Sequence, residues 1–141
     1  MIFNPTREQA RRFFVDAWRK RRESVPASEL ETLAADWIAL HPEYLEQFGE
    51  AGVQADYRVD NGQANPFLHM GMHLSIEEQV KVDQPAGIRR AVETLASRLG
   101  SLHDAHHAAM DCLGEMLWTA QRNGKPPDGE TYVACVRRKA G

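Results

Sequence analysis

No stretch of this chain alternates apolar and polar residues as a half-buried strand requires, and its apolar residues recur instead three and four positions apart. That spacing confines the chain to helices, because a helix returns to one face every three or four residues and a strand every second. Phe13, Phe14, Ala17 and Trp18 form one such stripe, and Leu30, Leu33, Ala34, Trp37 and Ile38 form another.

The punctuation between stripes sets the helix ends. Asn4-Pro5 reads as an N-cap with proline in the first turn, opening a helix over about 5–22. Ser28 with Glu31 has capping-box spacing and opens a second helix, which ends near His41-Pro42, with "PEYLEQF" adding a turn or two. The segment "GEAGVQADYRVDNGQAN" is polar, glycine-rich and aperiodic, and is expected to be a loop. Asn65-Pro66 repeats the opening signal for a third helix that runs to about Val82, where "DQPAG" stops it. A fourth helix spans about 86–99 and ends at Gly100. Ser101 with Asp104 opens a fifth, and "NGKPPDG" turns the chain into a short last helix capped by Asp128 and carrying Tyr132, Val133 and Val136. The expectation is an all-α, single-domain helical bundle of about five or six helices over residues 1–141, a length at which folding buries roughly two-thirds of the unfolded surface.

Composition narrows the partners. Lys and Arg total 17 against 20 for Asp and Glu, a net charge of -3, which gives no general attraction to nucleic acid or an anionic membrane. The basic runs "RKRR" at 19–22 and "RRK" at 137–139 read first as complements to helix C-terminal dipoles, with RNA binding as a third-ranked function whose affinity would fall steeply with salt. No run approaches the roughly 20 apolar residues of a membrane span, and "MIFNPTREQARR" has no signal-peptide core. A soluble cytoplasmic protein is expected, with Cys112 and Cys135 as reduced, buried thiols rather than a disulfide.

The chemistry lies in two repeated stripes. His69, His73 and Glu77 stand four residues apart on one helix face, and "HDAHHAAMD" repeats the pattern as His103, His107 and Asp111, with His106 beside it. Imidazoles at i and i+4 can chelate one ion. His69 and Glu77 are about 12 Å apart along a helix axis, too far for one ion, so either an end of each stripe stands behind the ligands or two ions are held. If the third, fourth and fifth helices run up, down and up, His69 approaches His103, His73 approaches His107, and Glu77 approaches Asp111. A cluster of His73, His107, Glu77 and Asp111 would then supply two nitrogens and two carboxylates, a mixture that suits iron, zinc or manganese over copper(I). The stripes lack the Glu-x-x-His pairs of di-iron bundles and the H-E-x-x-H of zinc proteases.

Other residues carry weaker signals. Met70, Met72, Met110 and Met116 read as core before they read as a pocket. His41 in "HPEY" reads as a helix end and a weak catalytic candidate. Cys112 points away from the 103, 107, 111 face, and Asp111 beside it disfavours a thiolate.

The segments "FNPTREQARRFFVDAWRK", "LHPEY", "NPFLHMGMHLSIEEQ", "DQPAGIR" and "CLGEMLWTAQRNGKPPDGETYVACVRR" resemble, in order and over nearly the whole chain, the bacterial domain-of-unknown-function family numbered 1841. The resemblance covers His69, His73, Glu77, Glu78, Gln79, His103 and His107, while His106 departs from the family's usual residue and ranks last among the three neighbouring imidazoles. It implies no activity, so the metal reading rests on spacing. Two function classes follow. The first is a His/carboxylate metal centre between two helices, mononuclear or dinuclear, with Glu78 as a base if metal-activated water or oxygen chemistry occurs. The alternative is a non-catalytic protein-protein interaction module with structural histidines and an apolar face that takes a partner or a second copy.

Overall fold

The computed structural model describes residues 6–55 and 65–141. Among these residues the chain forms seven α-helices and one 3₁₀ helix, with no strand. The all-α expectation holds, but the helices outnumber the expected five or six. The contacts divide the chain into two compact units, Met1–Leu74 and Ser75–Gly141.

The first unit begins with α1 (Arg7–Glu23), opened by Thr6. The Thr6 hydroxyl oxygen accepts the Gln9 N–H at 3.1 Å, and Gln9 Oε1 accepts the Thr6 N–H at 2.8 Å. The start expected at Asn4-Pro5 falls on residues outside those described, and this reciprocal box places the helix start at Arg7 instead. α2 (Glu29–Ala39) opens at Ser28 through the same device with Glu31, as its spacing predicts. A 3₁₀ helix (Pro42–Phe48) follows, matching the extra turns read in "PEYLEQF".

The next element corrects the sequence reading. Residues 50–54, expected to lie in a loop, form α3 (Glu50–Gln54). Its stability is tertiary, which periodicity does not register. Val53 is 2% exposed in the core, and a Cβ at Gly52 would collide with the Gln47 carbonyl. The buried Arg11 guanidinium donates to the carbonyls of Val53 at 3.0 Å and Ala55 at 2.7 Å, satisfying acceptors at the helix end, and stacks over the Phe67 ring. Phe14, Phe48 and Phe67 pack against one another with Trp37, Ile38 and Met70 to form the unit's core. Phe14 and Ala17 of the first predicted stripe are buried, whereas Phe13 and Trp18 pack at its margin. Among the described residues, Arg19 pairs with Asp16 and Glu23, Lys20 with Glu31, and Arg21 with Asp36.

α4 (Pro66–Val82) contains the division between the units. In the second unit, α5 (Ile88–Leu99), α6 (Leu102–Asn123) and α7 (Gly129–Ala140) pack pairwise around Ile88, Val92, Leu95, Ala109, Leu113, Tyr132 and Val136. The Asp83 carboxylate accepts the Gly87 and Arg89 N–H groups ahead of α5, which holds this carboxyl below its usual range, with the Arg89 hydrogen bond the largest cause. Gly100 ends α5 in the left-handed region at φ 77, a conformation that costs a Cβ-bearing residue more. Ser101 and Asp128 cap α6 and α7 as expected.

The two cysteines provide a second correction. Cys112 on α6 and Cys135 on α7 are joined in a disulfide, with Cα atoms 5.8 Å apart, so neither is the free thiol that the sequence suggested. α6 and α7 pack as neighbours and bring together two residues whose separation of 23 is featureless in the sequence. Among the described residues, no helix is long and apolar enough to cross a membrane.

Candidate metal centre

Two segments of the first unit converge on a group of imidazoles. The Asn65 side chain accepts the N–H groups of Phe67 at 3.0 Å and Leu68 at 3.2 Å, opening α4 with Pro66 in its first turn. His69 and His73 therefore stand one turn apart on one helix face. His41 comes from the end of α2. Its backbone N–H donates to the Ile38 carbonyl at 2.9 Å, and Pro42 begins the next element.

A hydrogen bond orients the His41 ring. Its Nδ1 lies 2.7 Å from the Trp37 carbonyl oxygen, and a carbonyl only accepts, so Nδ1 carries the proton and Nε2 presents its lone pair. His73 Nε2 lies 3.2 Å from His41 Nε2. Without an ion, His73 donates its Nε2 proton across this gap. Loss of that proton, with His73 protonated at Nδ1, would leave two facing lone pairs. Two nitrogens at about 2.0–2.1 Å from one zinc at a tetrahedral angle stand about 3.3 Å apart, so the gap is close to ligand spacing.

His69 completes a near-equilateral triangle. The ring centroids are separated by 4.7 Å between His41 and His69, 4.9 Å between His41 and His73, and 5.0 Å between His69 and His73. Imidazoles bound to one tetrahedral ion place their centroids about 5 Å apart by the same geometry. One nitrogen from each of the three lies within 4.8 Å of the others. His41 and His73 are buried, at 3% and 0% exposed, and His69 is half-buried.

Aromatic rings wall this group. Trp37 stacks on His73 with centroids 4.0 Å apart and planes at 16°. Tyr44 lies 5.9 Å from His41 and 5.6 Å from His69. Burial, aided by the charge of Glu43, pushes the Tyr44 phenol above its ordinary pKa, so it stays protonated at neutral pH. The same Trp37 holds His73 with its ring and His41 with its carbonyl, an arrangement that limits the rotation of both imidazoles.

The other residues predicted from sequence lie in the second unit. His103 and His107 are half-buried on one face of α6, with ring centroids 4.4 Å apart. His106 is 1% exposed, and its pKa falls to about 4, first because burial disfavours the cation and then because His103 and His107 repel it. Asp111 is exposed on α6 and pairs with Lys139 at 3.5 Å. Glu77 is half-buried and Glu78 exposed on α4. Within the first unit the structure thus brings His69 and His73 together and adds His41, which the sequence presented as a helix end. The carboxylate of Glu43 and the phenol of Tyr44 were the nearby signals, and "HPEY" has no i, i+4 imidazole partner.

The family model described as Domain of unknown function (DUF1841) matches residues 6–138. Neither the curated proteins nor the solved structures contain a match to the chain.

Proposed function

From the premise that the chain belongs to the DUF1841 family, whose description names no activity, we propose that it is a metal-binding protein in which His41, His69 and His73 hold one divalent ion. The observation that carries this reading is the 3.2 Å separation of His41 Nε2 and His73 Nε2, with His41 Nδ1 anchored on a backbone carbonyl. Histidines that bind metal characteristically donate their second N–H to such an acceptor, which fixes both ring orientation and tautomer. A set of imidazole nitrogens favours zinc or iron over manganese, which prefers carboxylates. Glu77, His103, His107 and Asp111 are further candidates from their sequence stripes.

Elemental mass spectrometry of untagged protein, supplemented with zinc, iron or manganese and then desalted, tests the proposal. Near-stoichiometric zinc or iron is expected, with His41→Ala and His73→Ala both losing it. Retention of metal by both variants would refute this ligand set. Parallel substitutions at His103, His107, Glu77 and Asp111 test the remaining candidates.

One observation favours the second reading, an interaction module with structural histidines. Trp118 is 58% exposed beside Leu117 on α6, and large apolar surface of this kind often marks a partner site. Substoichiometric metal after supplementation, together with concentration-dependent self-association in light scattering that Trp118→Ser abolishes, would support this module over the metal centre.

A further inference from the structure

The Cys112–Cys135 disulfide lines a pocket of about 220 Å³ in the second unit. Sulfur is accompanied there by charges of both signs: Glu115 and Asp128 supply carboxylates, and Lys125 and Arg138 supply cations. We propose that this pocket is a thiol-exchange site for a small zwitterionic thiol carrying both an ammonium and a carboxylate.

Size, charge and access support that class. The cavity is below the roughly 300 Å³ at which pockets for drug-sized ligands begin, so it suits a small metabolite. Two carboxylates and two cations among the lining residues complement a ligand with both charges better than a simple anion or cation. The two sulfurs differ in access: Cys112 is 1% exposed, whereas Cys135 is half-buried. Exchange needs a thiolate to reach one sulfur, so attack falls on Cys135.

The step balances in electrons. The incoming thiolate forms a bond to Cys135 Sγ as the Sγ–Sγ bond breaks, and Cys112 leaves with the electron pair as a thiolate. A second thiolate attacks the sulfur of the bound small thiol, releasing the small-molecule disulfide and a Cys135 thiolate. Two thiols are oxidised to one disulfide, and the protein bridge is reduced.

The test treats the full chain with cysteine or 2-mercaptoethanol at matched thiolate concentration, quenches by alkylation and follows the adducts by intact and peptide mass spectrometry. Cysteine should open the bridge roughly tenfold faster than the neutral thiol, with the first adduct on Cys135. Arg138→Gln and Glu115→Gln should each reduce that advantage severalfold, while Arg90→Gln, outside the pocket, leaves it unchanged. Equal rates for the two thiols in the parent protein would overturn the proposal without reference to any variant. So would a first adduct on Cys112, or opening whose rate simply follows global unfolding in urea.

Discussion

Arg11→Met tests how the first unit holds its short helix. The parent guanidinium is 3% exposed and makes hydrogen bonds of 3.0 and 2.7 Å to the Val53 and Ala55 carbonyls. Hydrogen bonds from a charged donor contribute about 1.5–3 kcal/mol each, a gross loss of roughly 3–6 kcal/mol. Two effects oppose that loss: methionine avoids the cost of burying a cation, and its side chain retains much of the apolar stem. They do not supply a donor, so the carbonyl of Val53, a residue only 2% exposed, still loses its guanidinium partner. The net destabilisation should be about 2–3 kcal/mol, shifting the urea midpoint down by roughly 1–2 M if the slope is unchanged. Arg12→Met is the control, because Arg12 also joins α1 to the α3 segment, through Glu50 at 2.8 Å, but does so in solvent. It should cause no measurable change. Far-UV circular dichroism in urea reads both variants. Equal effects from Arg11→Met and Arg12→Met, or a change below about 0.5 kcal/mol at Arg11, would refute the role assigned to the buried guanidinium.

Two further outcomes follow from the second unit. His106 has its pKa depressed from 6.5 to about 4 in the folded chain, so the unfolded chain binds its proton first as pH falls. Stability attributable to His106 is complete above pH 6.5 and declines towards pH 4, by up to about 3 kcal/mol in all; urea titrations should show a flatter profile for His106→Leu, and parallel profiles would contradict the assignment. Asp83 and Asp128, held below their usual carboxylate ranges by hydrogen bonds, lose their contributions only at lower pH. Replacing both Cys112 and Cys135 with serine should lower stability by roughly 3 kcal/mol, the scale expected when a loop of this length is no longer closed, and an unchanged urea midpoint would argue against a native bridge.

Local signals were legible where the chain satisfies its own backbone. Ser28 with Glu31, Asn65 with Pro66, Gly100, Ser101 and Asp128 mark helix ends through short-range hydrogen bonds or backbone conformation, and all five occur as read. α3 was hidden because its carbonyls are satisfied by Arg11, more than forty residues earlier. The disulfide was hidden because helix packing, rather than the neighbours of either cysteine, brings the sulfurs together. His69 and His73 share a face by helical spacing alone, whereas His41 meets His73 across a separation of 32 residues and sits beside a proline that suggests only a stop. The second stripe illustrates the limits of periodicity: His103 and His107 do share a face, but the carboxylate that extends it, Asp111, points to solvent and Lys139.

X-ray absorption at the metal edge of zinc- or iron-loaded protein tests the central claim most directly. The account predicts a first shell near 2.0–2.1 Å containing at least three imidazole nitrogens, with outer-shell scattering from the rings, and no bound-metal edge in desalted His41→Ala. A shell of oxygen or sulfur ligands, or an imidazole count indifferent to His41, would contradict it.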